Sequence, residues 1–89
     1  MIVERRVRIV NTLGMHVRPS ISFAEVAGKF RSSICVIKDG QTVNAKSSID
    51  LLTLAPVAGT DLFLRAEGDD ANEAIDVLTR MIESKFDEE

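Results

Sequence analysis

The only histidine in the chain, His16, lies in a segment whose residue types could hold an anion. The segment reads Asn11-Thr12-Leu13-Gly14-Met15-His16-Val17-Arg18-Pro19-Ser20. A strand-like pattern precedes it and a helix-like apolar pattern follows it. Gly14 favours a turn between the two, and Pro19 is tolerated in the first turn of a helix, where amide hydrogens lack intrahelical acceptors. The pattern therefore places one imidazole at or next to a helix N-terminus.

An arginine two residues after this histidine strengthens the case for an anion. Free backbone amides, the positive end of the helix dipole and the guanidinium of Arg18 would all favour a doubly charged anion attached to the ring of His16. A histidine ring is mostly neutral near pH 7, and a neutral ring has a nucleophilic nitrogen. The spacing thus favours a ring that takes up and holds an anionic group.

Spacing alone leaves structural roles open for the same residue. A lone histidine in a small domain is often a helix cap, a surface residue or a core group. The turn between a strand and a helix is usually exposed, which argues against a core position. Zinc needs three or four ligands, and His16 with the distant Cys35 cannot supply a recognisable set, so no metal site is predicted.

The composition is that of a small globular domain and argues against several classes of function. The chain has 89 residues, of which 45% are hydrophobic and 28% charged, so we expect one domain over residues 1–89. A net charge of −3 with few aromatic residues argues against a nucleic-acid partner. No apolar run is long enough to predict a membrane span, and charged residues interrupt any signal-peptide core. The single cysteine, Cys35, fits a reducing cytoplasm and a packing role.

Alternation of apolar and polar residues predicts four strands. In the first strand Val3, Val7 and Ile9 share a face, and only Arg5 breaks the pattern. The dipeptide Asp39-Gly40 predicts a hairpin turn between the second and third strands. The predicted strands cover residues 3–9, 33–38, 41–45 and 60–66.

Apolar residues at helical spacing predict three helices, over residues 17–28, 47–54 and 70–86. Ser47 is a typical N-cap for the second helix, which must end before Pro56. Asp70 and Glu73 have the spacing of a capping box at the start of the third, whose apolar stripe includes Phe86. The ending Asp87-Glu88-Glu89 is expected to be solvated. Four strands and three helices without regular alternation predict an α+β fold with the helices on one sheet face.

Three runs of residues, in order and spacing, resemble the histidine-containing phosphocarrier (HPr) family. The first is Leu13-Gly14-Met15-His16-Val17-Arg18-Pro19, and the second is Val43-Asn44-Ala45-Lys46-Ser47. The third is Ala58-Gly59-Thr60 followed by Ala66-Glu67-Gly68-Asp69-Asp70. The resemblance covers nearly the whole chain. It implies an open-faced β-sandwich, with a four-stranded antiparallel sheet and three helices on one face in the order βαββαβα.

The family resemblance also implies a role for each site residue. His16 would accept a phosphoryl group on Nδ1 from enzyme I of the phosphoenolpyruvate-dependent phosphotransferase system, and pass it to an enzyme IIA domain. Arg18 and the backbone of Val17 would hold the phosphate. The protein would be a cytoplasmic monomer that uses no cofactor, and a carrier for sugar transport rather than a turnover catalyst.

A carrier must be bound by two different partners, and apolar residues on two helices could provide the surface. If the first two helices lie side by side, Val17 and Ile21 of one adjoin Ile49 and Leu52 of the other, with Ser48 at the edge. For each of these residues a place in the core is the alternative. Family resemblance favours docking.

Ser47 resembles the regulatory serine of the family, which HPr kinase/phosphorylase would modify. Ser48 replaces a larger apolar residue usual in regulated proteins, and Asp50 adds a like charge nearby. The alternative function is a regulatory phosphocarrier, nitrogen-branch or kinase-controlled, that acts by docking without sugar uptake. The run Leu13-Gly14-Met15-His16 and the ending Phe86-Asp87-Glu88-Glu89 resemble the nitrogen-branch phosphocarriers. Lys46-Ser47 resembles the sugar-branch phosphocarriers.

Overall fold

The computed structural model describes residues 1–87, and its elements follow the predicted order βαββαβα. Glu88 and Glu89 of the predicted solvated ending lie outside the described residues. The strands are β1 (Ile2–Arg8), β2 (Ser33–Lys38), β3 (Gln41–Asn44) and β4 (Asp61–Glu67). The helices are α1 (Val17–Ala27), α2 (Ser48–Leu54) and α3 (Ala71–Glu83), followed by a short turn at Lys85–Asp87.

The sheet has the strand order β1-β4-β2-β3, and all of its pairs are antiparallel. The β2–β3 hairpin turns at Asp39 and Gly40, whose φ angles are 49° and 81°. Positive φ at both central residues is the geometry that Asp-Gly favours in a two-residue hairpin, so the predicted turn is confirmed. Because β1 and β4 pair along their whole length, the segment after β1 emerges beside the segment before β4.

One face of the sheet packs against the helices, and the other is open. The buried face carries the alternating apolar residues predicted for each strand, among them Val36, Leu62 and Leu64, all 0% exposed. The helices meet it with Phe23 of α1 and Leu51 of α2, which are also fully buried. The α+β fold class and the placement of the three helices on one face are confirmed.

Arg5 breaks the alternation of β1 because of its position at the border between the sheet and α3. Its guanidinium forms an ion pair with Asp76 of α3 at 2.8 Å, and both side chains remain partly exposed. β1 is an edge strand, so a long side chain on its inner face can reach water at the border. The exception in the pattern therefore marks where α3 meets the edge strand.

The capping box predicted for the start of α3 is wrong. Asp70 makes no side-chain cap of α3. Its carboxylate instead accepts hydrogen bonds from the backbone N–H of Arg31 at 2.8 Å and of Ser32 at 3.0 Å, and from the Ser32 hydroxyl at 2.5 Å. The Ser32 hydroxyl and these amides lower the pKa of Asp70 to about 2. Asp70 thus ties the segment after α1 to the segment before α3.

The C-terminal end of α3 also differs from the prediction. The helix ends at Glu83, and Lys85, Phe86 and Asp87 follow with φ angles of 58°, 54° and 60°. This left-handed turn brings the Phe86 ring edge-on to Phe23 of α1, with centroids 6.5 Å apart. Phe86 therefore joins the apolar core as its place in the stripe suggested, but from a turn outside the helix.

Replacing Asp70 by Asn should lower the melting temperature at neutral pH, because an amide cannot accept the same charge-assisted hydrogen bonds. The native carboxylate has a depressed pKa, so its stabilisation is present above its ordinary value of 3.8 and is lost as the pH falls toward about 2. The difference between wild type and Asp70→Asn should therefore narrow between about pH 4 and about pH 2. Thermal unfolding followed by circular dichroism at each pH measures the difference in melting temperature between the two proteins.

Asp69→Asn is the matched control, since Asp69 is the neighbouring exposed carboxylate. An equal loss of melting temperature in both variants would show that Asp70 contributes only general charge. A constant difference between wild type and Asp70→Asn over this pH range would contradict the assignment of the pKa.

Candidate functional site

His16 is the N-cap residue of α1. Its backbone is extended, with φ −81° and ψ −163°, and its carbonyl accepts the first helical hydrogen bond from the N–H of Ser20 at 3.0 Å. The imidazole makes no side-chain cap of the helix, and the residue is half-buried. Two of the three structural alternatives, the side-chain cap and the fully buried core group, are therefore excluded, and His16 is partly accessible from solvent.

The first turn of α1 offers hydrogen-bond donors next to this ring. Val17 and Arg18 occupy the first two helical positions, where backbone N–H groups have no intrahelical acceptor. Pro19 follows as a buried residue with no N–H to satisfy, as predicted for a first-turn proline. The Arg18 side chain is exposed. The structure thus brings His16, two free backbone amides and the exposed Arg18 to one helix end, where the dipole is positive.

The loop before His16 is held by side-chain to backbone hydrogen bonds. The amide nitrogen Nδ2 of the buried Asn11 donates to the Gly14 carbonyl at 2.7 Å. The buried Ser20 hydroxyl donates to the Met15 carbonyl at 3.2 Å. Asn11 and Ser20 were missed by the sequence analysis as site residues. The spacing of Asn11 from Gly14 is typical of a side chain that closes a turn, and this signal could have identified Asn11 as a site residue.

A second loop supports the first from a distant part of the chain. The Met15 N–H donates to the Pro56 carbonyl at 2.9 Å, and Met15 is only 2% exposed. Gly14 has φ +69°, and a Cβ placed on it would collide with the Pro56 carbonyl oxygen and lie 2.9 Å from Cα of Val57. Glycine is required here both for its backbone angle and for the close approach of the two backbones.

Helices α1 and α2 lie side by side and run in opposite directions. The end of α2 leads to Pro56, which bonds to Met15 next to the start of α1. The start of α2 lies by the end of α1, because the Lys46 ammonium donates to the Phe30 carbonyl at 2.8 Å. The two helix faces predicted to dock partners are thus neighbours, as the sequence analysis required.

The predicted docking residues form what we call the apolar collar. Val17 is 57% exposed, Ile21 45% and Ile49 72%, while Leu52 is half-buried. The residues predicted for the core of the same helices, such as Leu51 and Leu54, are 0% and 3% exposed. The collar is therefore surface, and the alternative in which these side chains complete the core is excluded for the three exposed ones.

Ser47 is the N-cap of α2, as predicted. Its Oγ accepts a hydrogen bond from the Asp50 N–H at 3.2 Å. The Asp50 carboxylate accepts from the Asn44 N–H at 3.4 Å, and Ser48 begins the helix half-buried. Because α2 runs antiparallel to α1, Ser47 lies at the end of the collar away from His16.

Cys35 lies away from these residues, on the open face of the sheet. It lines a shallow groove of about 510 Å³ together with Arg65 and Asn44. Burial raises the pKa of the Cys35 thiol, which favours the protonated form and agrees with a packing role. His16 is not among the groove residues; it is half-buried, and Val17 and Arg18 beside it are exposed, so the residue lies at the surface. None of the helices over residues 1–87 is long and apolar enough to cross a membrane.

The fold and the site together define a small α+β module with one half-buried histidine at the N-terminus of a helix. The family model described as the PTS HPr component phosphorylation site matches residues 3–84. The chain therefore belongs to the HPr family of phosphocarrier proteins of the phosphotransferase system.

Individual relatives agree over nearly the full chain. Phosphocarrier protein HPr of Treponema pallidum is 36% identical over 87 residues, which cover 98% of this chain and 99% of the relative. The crystal structure of HPr from Thermoanaerobacter tengcongensis is 46% identical and superposes with a TM-score of 0.94, covering 98% of each chain. Crh of Bacillus subtilis, a domain-swapped dimer, is 35% identical with a TM-score of 0.75, covering 93% of this chain and 95% of its own.

Replacing Gly14 by Ala should separate the two loops and displace His16. The backbone angle and the collision with the Pro56 carbonyl both oppose a Cβ, so we expect a loss of about 1–3 kcal/mol in the free energy of unfolding. Gly40→Ala is the matched control, because Gly40 has a similar φ of +81° but no atom within 4 Å of an added Cβ. Urea denaturation measures the free energy of unfolding of both variants. Equal losses would show that the close approach of Gly14 to Pro56 does not contribute to stability.

Proposed function

We propose that His16 carries the phosphoryl group, accepting it on Nδ1 from enzyme I and passing it to an enzyme IIA domain. The observation that carries this proposal is the half-buried His16 as the N-cap residue of α1, in a chain of the HPr family. One phosphocarrier domain over residues 1–89, working in the cytoplasm without a cofactor, is sufficient for this role.

The proposed transfer is an in-line displacement on phosphorus. The lone pair of the ring nitrogen forms the new bond while the bond to the donor protein breaks, and the donor keeps that electron pair. Such transition states are loose, so positioning and electrostatics supply most of the catalysis. The open surface around His16 means that each partner must exclude water from the reacting group and complete the site.

The groups at the helix N-terminus then hold the product. The amides of Val17 and Arg18 point toward the helix start, and the exposed guanidinium of Arg18 can turn to the phosphoryl oxygens. A helix dipole contributes about 0.3–1 kcal/mol, and a charge-assisted hydrogen bond about 1.5–3 kcal/mol. A total of a few kcal/mol stabilises the phosphoryl group and still leaves it transferable, as a carrier requires.

The apolar collar is proposed as the docking surface for both partners, with Ser48 at its edge. Val17, Ile21 and Ile49 expose apolar side chains on two adjacent helices, and Leu52 of α2 is half-buried. A contiguous apolar patch with a polar rim is typical of a protein interface. Its small extent suits a complex that must dissociate after each transfer.

Ser47 is proposed as a regulatory phosphorylation site for a kinase of the HPr kinase/phosphorylase type. Its Oγ accepts the capping hydrogen bond, so the hydroxyl proton remains available for removal by a kinase base. A phosphate there would place about two negative charges at one end of the collar and oppose partner docking. Ser48 offers a neighbouring hydroxyl, so the test must separate the two serines.

The similarity to Crh favours a second candidate function. Crh is described as a catabolite repression protein and as a domain-swapped dimer. A regulatory phosphocarrier, kinase-controlled or of the nitrogen branch, would use the same collar without serving sugar uptake. For the carrier role we propose a monomer, because His16 and the collar lie on one chain and need no second copy.

Incubation with enzyme I and labelled phosphoenolpyruvate should place an acid-labile, base-stable phosphate on the wild type and none on His16→Ala. Arg18→Ala should accept phosphate more slowly, by about tenfold for one lost charge-assisted hydrogen bond, with an unchanged melting temperature. Arg31→Ala, an exposed arginine beyond the other end of α1, is the control and should react normally. Equal rates of phosphorylation for Arg18→Ala and Arg31→Ala would show that Arg18 has no role in the transfer.

Ser47→Asp should reduce the rate of phosphorylation by enzyme I, since a negative charge at the end of the collar opposes docking. The effect should appear in KM rather than kcat, because Ser47 lies away from His16. Incubation with HPr kinase and ATP, followed by mass spectrometry, should modify wild type and Ser48→Ala but not Ser47→Ala. Modification that survives in Ser47→Ala would assign the site to another residue.

A further inference from the structure

Ser20 is a buried residue that bonds to the backbone on both sides of His16. Its hydroxyl is shielded from solvent and donates to the Met15 carbonyl at 3.2 Å, while its backbone N–H donates to the His16 carbonyl at 3.0 Å. Serine hydroxyls in helices usually bond to a carbonyl three or four residues back. This hydroxyl reaches the carbonyl five residues back, before the helix begins. Ser20 therefore binds two successive carbonyls, one on each side of the His16 Cα.

These two hydrogen bonds fix the backbone at His16. A peptide group is planar, so holding the Met15 carbonyl also orients the N–H of His16. The freedom that remains at His16 is rotation in φ and ψ, and each rotation turns one of the two peptide groups that Ser20 holds. The preceding peptide group is held as well, by the hydrogen bond from Met15 to the Pro56 carbonyl. The direction of the His16 Cα–Cβ bond therefore depends on Ser20.

The side chain of His16 does not fix this geometry itself. A typical N-cap side chain accepts a hydrogen bond from the second or third helical amide, which holds its backbone in the extended conformation. His16 has the extended backbone of an N-cap but makes no such bond. A ring nitrogen that accepts a capping hydrogen bond cannot use the same lone pair to accept a phosphoryl group. The reactive role thus requires another group to hold the backbone, and Ser20 does so from inside the helix.

The backbone direction matters because of which ring nitrogen is proposed to react. Nδ1 is bonded to the ring carbon that carries Cβ, so a phosphoryl group on it lies close to the backbone of His16. A small rotation at the His16 Cα would move that group away from the free amides of Val17 and Arg18. Misplacement of reacting groups by a fraction of an ångström slows transfer even when binding is unchanged.

We propose that Ser20 is a positioning residue for phosphoryl transfer, whose buried hydroxyl holds the Met15 carbonyl and thereby sets the direction of the His16 side chain. Because Ser20 is fully buried, it acts through the backbone of His16 and cannot contact a partner protein. This inference rests on the proposed function of His16. It adds to that function a residue outside both the phosphate-binding groups and the apolar collar.

The test replaces Ser20 by Ala, which removes the hydroxyl and retains a strong helix former. The kcat of phosphorylation by enzyme I should fall about five- to tenfold, which corresponds to one hydrogen bond, and KM should be unchanged. Ser32→Ala is the matched control, because Ser32 is also buried and its hydroxyl bonds to Asp70 beyond the other end of α1. It should lower the melting temperature at least as much and leave kcat at the wild-type value.

Phosphorus NMR of the phosphorylated protein supplies a second readout, which a purely structural role would not change. Amides at a helix start favour the dianionic form of a phosphoryl group. In Ser20→Ala the amides are less well aligned with that group, so the midpoint of its titration should lie at a higher pH than in wild type. Ser32→Ala should titrate like wild type.

The rates are compared at a temperature at which circular dichroism shows all variants to be folded. An unchanged kcat in Ser20→Ala would overturn the inference, and so would equal losses of kcat in the two serine variants, which stability alone would explain. A rise in KM at constant kcat would assign Ser20 to docking and would overturn it too. The proposed function would stand in each of these cases. A wild type that accepts no phosphate from enzyme I would overturn both.

Discussion

The contact between the Gly14 backbone and the Pro56–Val57 backbone is the constraint on which the site depends. It joins a loop near the N-terminus to one more than forty residues later, and it can form only because residue 14 lacks a Cβ. The hydrogen bond from Met15 to Pro56 fixes the same junction. Once the loops meet in this way, the start of α1 and the end of α2 must lie together, and His16 becomes the residue at which the helix begins.

Holding a group reversibly requires weak forces that are well placed. The helix start offers amides and a positive dipole without a salt bridge buried in the core, and Arg18 lies in solvent, where screening limits its contribution. The helix dipole and each charge-assisted hydrogen bond contribute about 0.3–3 kcal/mol, so none of these interactions alone binds the phosphoryl group too tightly for transfer. An open surface also leaves exclusion of water to the partner, which couples chemistry to recognition. The same carrier can then serve a donor and an acceptor of different structure.

Local chemistry was predictable from the sequence, and contacts between distant segments were not. Alternation of apolar residues identified all four strands, and the Asp39-Gly40 turn and the Ser47 cap follow from backbone preferences of single residues. Asp70 has the spacing of a cap, but its carboxylate binds amides near residue 31, and no local rule signals that choice. Phe86 lies on the helical stripe, yet the helix ends at Glu83, and the ring reaches Phe23 from the left-handed turn that follows.

At the site, too, local features were predictable from the sequence and contacts between distant segments were not. His16, Arg18 and the collar were identified from spacing and resemblance, and the structure places them at one surface. Pro56 and Val57 could not be assigned to it, because only the antiparallel arrangement of α1 and α2 brings them near His16. Ser20 was not identified as a site residue from the sequence. Its buried hydroxyl, bonded to the Met15 carbonyl, now explains why a polar side chain is accommodated there.

The antiparallel arrangement of α1 and α2 separates His16 from Ser47 by at least the length of α2, about 10 Å for seven residues. That distance is comparable to the Debye length in a cell, so charges attached at the two ends interact weakly with each other through solvent. A phosphate on Ser47 would therefore affect His16 through the docking of partner proteins rather than through direct repulsion between two phosphates. A partner that lies along both helices meets His16 and Ser47 together, so a charge at one end of the collar would change which partners can reach the other end.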